Sequence, residues 1–124
     1  MRERYGIEVE PEVRTWLETL PRERYRAVER HVDRLAESPT TLGEPYTRHL
    51  EGPLRELRFH LGQDSVRITY WLAPERRIVL LTVFHKTRMR EDRQIQRALW
   101  AQKECEASHS PAVTVFHRTF EELP

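Results

Sequence analysis

The chain contains a single cysteine, Cys105, among its 124 residues. One thiol cannot form an internal disulfide and supplies too few sulfur ligands for a cysteine-based zinc site, which favours a reducing cytoplasm over secretion. Long apolar runs are missing as well, since the N-terminus has none of the signal-peptide type and no stretch approaches membrane-spanning length. We therefore expect a soluble cytoplasmic protein that does not associate with membranes.

Neither sign of charge is in clear excess, because 21 lysine and arginine residues face 20 aspartate and glutamate residues. Net charge alone therefore does not indicate a nucleic-acid-binding protein, and the distribution of charge has to decide. Arginine far outnumbers lysine, which suits phosphate recognition but is equally expected from a GC-rich genome. The hydrophobic content of 38% is enough for one modest core.

The motifs of several enzyme classes are also missing. The sequence has no glycine-rich loop of the nucleotide-binding type, and no serine lies in a nucleophile elbow. The six histidines show no metal-ligand spacing, so neither a metal nor a cofactor is expected. These enzyme classes are therefore disfavoured.

The first third of the chain predicts a short strand and a helical hairpin. The strand covers residues 5–9, Pro11 suits the first turn of a helix, and Pro21 separates that helix from the next. Apolar residues recur with helical spacing in both helices: Val13, Trp16, Leu17 and Leu20, then Tyr25, Val28, Val32 and Leu35. The second helix is predicted to end at the Ser38–Pro39 break.

A polar connection containing Gly43 and Pro45 then leads to Gly52–Pro53, where the apolar period changes from helical to alternating. Strands are predicted from there on, with turns at residues 62–64 and 73–75 between them. The pattern therefore changes from helices to an antiparallel sheet.

The third of these strands, residues 78–84, is apolar on both faces, as expected for a central strand. A final helix follows and ends near Glu106. We expect residues 1–106 to form one domain and residues 107–124 a polar tail, in which 113–116 can add an edge strand. The predicted fold is a small α+β domain.

Three segments carry a resemblance to a known family: Leu50 to Phe59 (LEGPLRELRF), Val66 to Tyr70 (VRITY) and Val79 to Thr87 (VLLTVFHKT). In this order they resemble the HigB-like, phage-derived branch of the RelE/ParE toxin superfamily. The resemblance implies an N-terminal strand and helical hairpin packed on an antiparallel sheet, with a C-terminal helix. One position departs from the pattern, because His85 stands where family members often carry the first lysine of a Lys-Lys-Thr sequence.

The resemblance also implies a function. Members of this branch are toxins of type II toxin–antitoxin systems, and the expected activity is metal-independent, ribosome-dependent cleavage of mRNA that inhibits translation. The expected partners are the ribosome, mRNA and a cognate helix-turn-helix antitoxin, through which the toxin can associate with operator DNA.

Arg58 and Arg67 are the candidate phosphate clamp. They occupy the polar sides of adjacent predicted strands, so antiparallel pairing can bring both guanidinium groups to one surface. The alternative is that each merely pairs with Glu56 or Asp64 on an exposed sheet face, as surface charges usually do.

His85 is the candidate general base or acid, because histidine exchanges protons near neutral pH; its alternative is a solvated strand end. Lys86 joins the catalytic candidates. With Arg88 and Arg90 it extends a positive surface that can hold neighbouring phosphates, although charge runs of this kind are often simply solvated. Arg55 and His60 complete the candidate RNA-binding residues, and Tyr70 is assigned to the core.

Two other functions remain open at this point. The same fold serves ParE-like proteins that inhibit DNA gyrase without any acid or base, and it also suits a non-toxic regulatory protein. The basic cluster after the third strand favours the ribonuclease over the gyrase inhibitor, but basic clusters serve pure binding as well.

Overall fold

The computed structural model describes residues 4–86 and 91–108, together with a strand at 114–115. Within this part of the chain the elements are β1 (Gly6–Val9), α1 (Pro11–Glu18), α2 (Arg22–Glu37), β2 (Thr47–Glu51), β3 (Leu54–Leu61), β4 (Asp64–Ala73), β5 (Arg77–His85), α3 (Asp92–Ser108) and β6 (Thr114–Val115). This order confirms the predicted α+β fold. No helix among the described residues has both the length and the apolar character needed to cross a membrane.

The strands form one mixed sheet in the order β2-β3-β4-β5-β1-β6. Neighbours from β2 to β5 are antiparallel, as predicted, whereas β1 runs parallel to β5 with Ile7 opposite Ile78. The sequence did not predict the direction of β1. The direction of β1 depends on contacts between residues far apart in sequence, and local periodicity carries no information about them.

Two edge strands differ in how well the sequence predicted them. β2 lies inside the segment predicted as a polar connection, and this prediction is corrected. The strand has only five residues between turn-forming residues, and Thr47 is the only one of the five that is fully buried. An alternating pattern this short cannot be recognised from the sequence. The edge strand expected over 113–116 forms at 114–115, where Val115 pairs with Glu8 of β1.

The sheet carries a layer of apolar side chains on each face. Ile68 and Leu80 pack in the cluster beneath α1 and α2. Trp71 and Leu81 point to the opposite face, where they pack with Ala98 of α3. Because β5 is covered on both sides, its run of apolar residues confirms the prediction of a central strand.

Candidate functional site

Two arginines lie side by side on neighbouring strands. Arg58 of β3 is directly opposite Arg67 of β4 in the antiparallel register. The adjacent Leu57 and Ile68 belong to the core beneath α1 and α2, so the alternation along each strand turns both arginines to the other face. The sequence predicted this adjacency. Like charges directly opposite one another destabilise a sheet, so the pair needs a counter-charge.

The counter-charge is the carboxylate of Glu56. Its Oε1 lies 3.6 Å from Nε of Arg58 and 3.6 Å from Nε of Arg67. Glu56 is only 2% exposed and Arg67 6% exposed, whereas the Arg58 side chain is partly open to solvent. The sequence analysis named Glu56 only in the alternative interpretation, as an ion-pair partner of these arginines on an exposed sheet face. We call Arg58, Glu56 and Arg67 the arginine cluster.

Three buried polar atoms of the arginine cluster have no hydrogen-bond partner among the described residues. They are Oε2 of Glu56, Nε of Arg58 and Nε of Arg67. Buried polar atoms without a partner are rare in proteins, and such exceptions often mark positions that a ligand or water completes. A guanidinium presents its donors in a planar fork that matches phosphate oxygens. The arginine cluster is therefore chemically suited to hold an anion.

Burial controls the protonation of the arginine cluster. Burial raises the pKa of Glu56, and the nearby Glu91 carboxylate raises it further, while Arg67, Arg58 and Arg48 oppose the shift. Burial also lowers the pKa of Arg67, and the neighbouring Arg58 guanidinium adds to that effect. The carboxylate is thus a better proton acceptor than an exposed glutamate would be.

The raised pKa of Glu56 predicts a pH dependence of stability. Because the folded state holds the Glu56 proton more tightly than the unfolded state, the associated stability is fully present below the ordinary pKa of 4.5 and is lost as the pH rises through the folded-state value. Relative to a Glu56→Gln variant, the wild-type free energy of unfolding should therefore fall over this range. Urea unfolding at a series of pH values measures the difference.

Glu44→Gln is the matched control for this measurement. The Glu44 carboxylate also faces Arg58, at 4.0 Å, but its side chain is 74% exposed. We expect this substitution to leave the pH profile of the wild type unchanged. A Glu56→Gln variant whose profile runs parallel to that of the wild type would contradict the assigned role of burial.

The end of the sheet next to the arginine cluster carries two further predicted site residues. His60 is exposed and lies opposite Ser65, whose Oγ accepts a 2.9 Å hydrogen bond from Arg67. The backbone N–H of Lys86 donates to the Ser65 carbonyl at 2.8 Å, and the Lys86 ammonium forms an ion pair with Glu91. His60 and Lys86 are thus both close to this end of the sheet.

His85 and Arg55 are placed differently. His85 lies opposite Val66, which belongs to the core beneath α1 and α2, so the alternation directs His85 to the face away from Arg67. Arg55 donates from Nε to the Tyr70 hydroxyl at 3.3 Å, and Tyr70 is buried as predicted. The structure does not bring His85 or Arg55 beside the arginine cluster, and their functional roles remain predictions. Arg88 and Arg90 lie outside the described residues.

A pocket of about 470 Å³ opens beside the arginine cluster. Its lining residues include His31, Tyr46, Arg58, Phe59, His60 and Arg67. Sequence reasoning missed His31 and Tyr46 as site residues. The available signal was weak, since His31 only flanks the apolar stripe of α2, and Tyr46 sits in a segment rich in turn residues.

The described residues contain no group of three or more histidine, cysteine, aspartate or glutamate side chains arranged to hold a metal ion. The groups gathered at the pocket are instead guanidinium, imidazole and carboxylate. These groups can bind a phosphate and move protons.

Comparison with known proteins places the chain among phage-related sequences. The family described as phage-derived Gp49-like proteins matches residues 15–103. No curated protein matches the chain. The family match includes the end of α1, all of α2, the arginine cluster and most of α3.

Three solved structures are similar in fold. The toxin–antitoxin complex RelBE2 from Mycobacterium tuberculosis is 20% identical, with 69% of this chain and 95% of that chain covered and a TM-score of 0.53. The RelE–RelB complex from Pyrococcus horikoshii is 25% identical, covers 69% and 99% of the two chains, and has a TM-score of 0.54. A mutant of the Escherichia coli toxin RelE in the free state is 15% identical, covers 78% and 96%, and has a TM-score of 0.56.

Proposed function

The chain belongs to the family of phage-derived Gp49-like proteins within the RelE-like toxin superfamily, and from that premise we propose that it is an mRNA endoribonuclease acting on translating ribosomes. In this role it inhibits translation as the toxin of a type II toxin–antitoxin system. The reaction uses no metal. The chain acts in the cytoplasm.

The observation that carries the proposal is the arginine cluster at the mouth of the pocket. Two guanidinium groups face one another across neighbouring strands, and one buried carboxylate holds both. Glu56 is the buried counter-charge to the two guanidinium groups, whereas the Glu44 carboxylate that also faces Arg58, at 4.0 Å, is 74% exposed and screened by water. A phosphate can therefore take the place of Glu44 beside Arg58. Charge-assisted hydrogen bonds to phosphate oxygens are strong where water is largely excluded. Arg58 and Arg67 therefore act as the phosphate clamp.

Cleavage without a metal requires two proton transfers around the clamped phosphate. Oε2 of Glu56 is buried in the free protein, so the partly exposed Arg58 side chain first moves onto the phosphate, and the uncovered carboxylate then takes the proton of the 2′-hydroxyl. The 2′-oxygen then bonds to phosphorus, and the bond from phosphorus to the 5′-oxygen breaks. A histidine protonates the leaving oxygen, which yields a 2′,3′-cyclic phosphate and a 5′-hydroxyl end.

Two histidines compete for the role of proton donor. His60 lies at the end of the sheet where the arginine cluster is, whereas His85 stands at the position where family members often carry the first lysine of Lys-Lys-Thr and takes over its role. Lys86 acts at the same reaction centre, and Arg88 and Arg90 hold neighbouring phosphates, as does Arg55. Single alanine variants at His60 and His85 identify the donor, because only the loss of the donor should strongly slow cleavage.

The proposed partners are mRNA, the ribosome and an antitoxin. Two of the similar structures are complexes of a RelE-type toxin with its antitoxin. We propose a helix-turn-helix antitoxin for this chain, with operator DNA reached only through that partner. An antitoxin that covers the positive pocket would prevent mRNA from entering it.

A translation reaction with purified components tests the proposed function. Purified chain is added to a defined mRNA with and without ribosomes, new RNA ends are mapped by primer extension, and gyrase supercoiling is assayed in parallel. Cuts inside the reading frame that require ribosomes support the proposal. Intact mRNA with inhibited supercoiling would replace it with the gyrase-inhibitor function, and no effect in either assay from folded protein would indicate a regulatory protein.

A further inference from the structure

The pocket beside the arginine cluster wraps around an edge of β3 that β2 does not cover. β2 begins at Thr47, opposite Leu57, and among the described residues the last backbone hydrogen bond along this edge runs from Arg58 N–H to the Tyr46 carbonyl at 2.8 Å. Past that point the pocket is lined from both faces of the sheet, by Phe59 on one side and Arg58 on the other. It therefore joins the face that carries Arg58 and Arg67 to an aromatic wall, which is formed by His31, Tyr46 and Phe59.

The aromatic wall is already arranged for stacking. The His31 imidazole stacks on the Phe59 ring with 4.6 Å between the ring centroids and 12° between the planes. Tyr46 is 41% exposed, and the Arg34 guanidinium lies over its ring at 4.6 Å. Burial lowers the pKa of His31, and the neighbouring Arg34 and Arg30 lower it further, which favours the uncharged imidazole. The wall thus presents flat, neutral rings.

We propose that this pocket receives one nucleotide of the RNA substrate, with its phosphate on Arg58 and Arg67 and its base stacked against His31 and Tyr46. This inference rests on the proposed ribonuclease function and assigns the residues that determine its base preference. A purine is preferred, because its larger ring system offers more stacking area. His31 and Tyr46 are thus specificity-determining residues rather than catalytic ones.

Size and charge both favour a nucleotide over a peptide. The volume of about 470 Å³ lies within the range of small-ligand sites. The pocket lining combines the guanidinium groups of Arg58 and Arg67 with the aromatic rings of His31 and Tyr46. This combination matches the phosphate and the base of a single nucleotide. An antitoxin strand added to the free edge of β3 would use backbone hydrogen bonds and would not need the paired arginines.

NMR titration of the full chain tests the proposal without ribosomes. The probes are adenosine 3′-monophosphate, cytidine 3′-monophosphate and ribose 5-phosphate, which has no base. We expect all three to shift the Arg58 and Arg67 signals, and only the two nucleotides to shift those of His31 and Tyr46, with the adenosine compound binding more tightly. Tyr46→Ala should weaken adenosine binding by about 5- to 150-fold, which corresponds to the roughly 1–3 kcal/mol of one stacked base.

Tyr5→Ala is the matched control, because Tyr5 also lies under an arginine, with the Arg76 guanidinium 5.5 Å from its ring centroid, but it does not line the pocket. This variant should bind adenosine 3′-monophosphate as the wild type does. Equal affinity for the nucleotides and ribose 5-phosphate, or unchanged binding in Tyr46→Ala, overturns the proposal. Binding of an antitoxin-derived peptide in the pocket without any nucleotide binding also overturns it.

The outcomes for the pocket and for the ribonuclease are separable. Nucleotide binding at His31 and Tyr46 with no mRNA cleavage would refute the proposed function and leave the pocket assignment standing. Ribosome-dependent cleavage whose base preference is the same in wild type and Tyr46→Ala would refute the pocket assignment and leave the ribonuclease standing.

Discussion

Replacing Arg67 with alanine is expected to slow mRNA cleavage by about 10²- to 10³-fold, as the removal of one charge-stabilising donor does in other enzymes. Arg67 is 6% exposed and lies opposite Arg58 against the Glu56 carboxylate. Water that enters the space left by the side chain carries no positive charge, so it cannot stabilise the reacting phosphate as the guanidinium does. The measurement is the initial rate of new RNA ends in a translation reaction, with circular dichroism to confirm folding.

Two further variants make this result specific. Arg67→Lys keeps the positive charge but not the planar fork, so an intermediate rate is expected. Arg77→Ala removes another largely buried arginine at the far end of β5, where it pairs with Glu8 at 3.1 Å. We expect Arg77→Ala to reduce stability and to keep the cleavage rate per folded molecule. If both alanine variants lose cleavage equally, Arg67 is not part of a phosphate clamp.

The largest expected effect on stability comes from Leu80→Ala, which should lower the free energy of unfolding by about 2–5 kcal/mol. Leu80 is 0% exposed and lies on the central strand between Val9 of β1 and Tyr70 of β4. Its truncation leaves a cavity that neighbours on both strands cannot close. Small domains are stable by only about 5–15 kcal/mol, so a large share would be lost. Urea unfolding followed by circular dichroism measures it.

Leu50→Ala is the control for Leu80→Ala, because it makes the same truncation on the edge strand β2, where Leu50 is only partly buried. A clearly smaller loss is expected there. Equal losses at the two positions would contradict the view that β5 is the centre of the core.

In cells, Leu80→Ala should reduce toxicity because it lowers the amount of folded protein. Arg67→Ala should reduce toxicity while the protein remains at normal abundance.

The helices and the central strands were predictable because their apolar side chains repeat within a few residues. The stripe from Tyr25 to Leu35 identifies α2, and the apolar run at 78–84 identifies β5. β2 was not predictable, since its five residues bury only Thr47 fully. Its place at the edge follows from pairing with β3 and not from its own pattern.

The candidate site was likewise predictable only where it depends on local alternation. Alternation placed Arg58 and Arg67 on the polar sides of neighbouring strands, and the register then set them directly opposite each other. The same register placed His85 on the other face, which no local pattern indicates because the face of a strand end depends on which residue it pairs with.

The sequence by itself determined the α+β class, the helical hairpin, the central strand and the two arginines, because each depends on side-chain periodicity or on turn residues close together in the chain. Only the tertiary structure decided that Glu56 sits between the two arginines, and that His31 and Tyr46 meet them across the free edge of β3. These groups come from α2, β3, β4 and the segment before β2. Their distances are set by strand register and helix packing, which are properties of the whole fold.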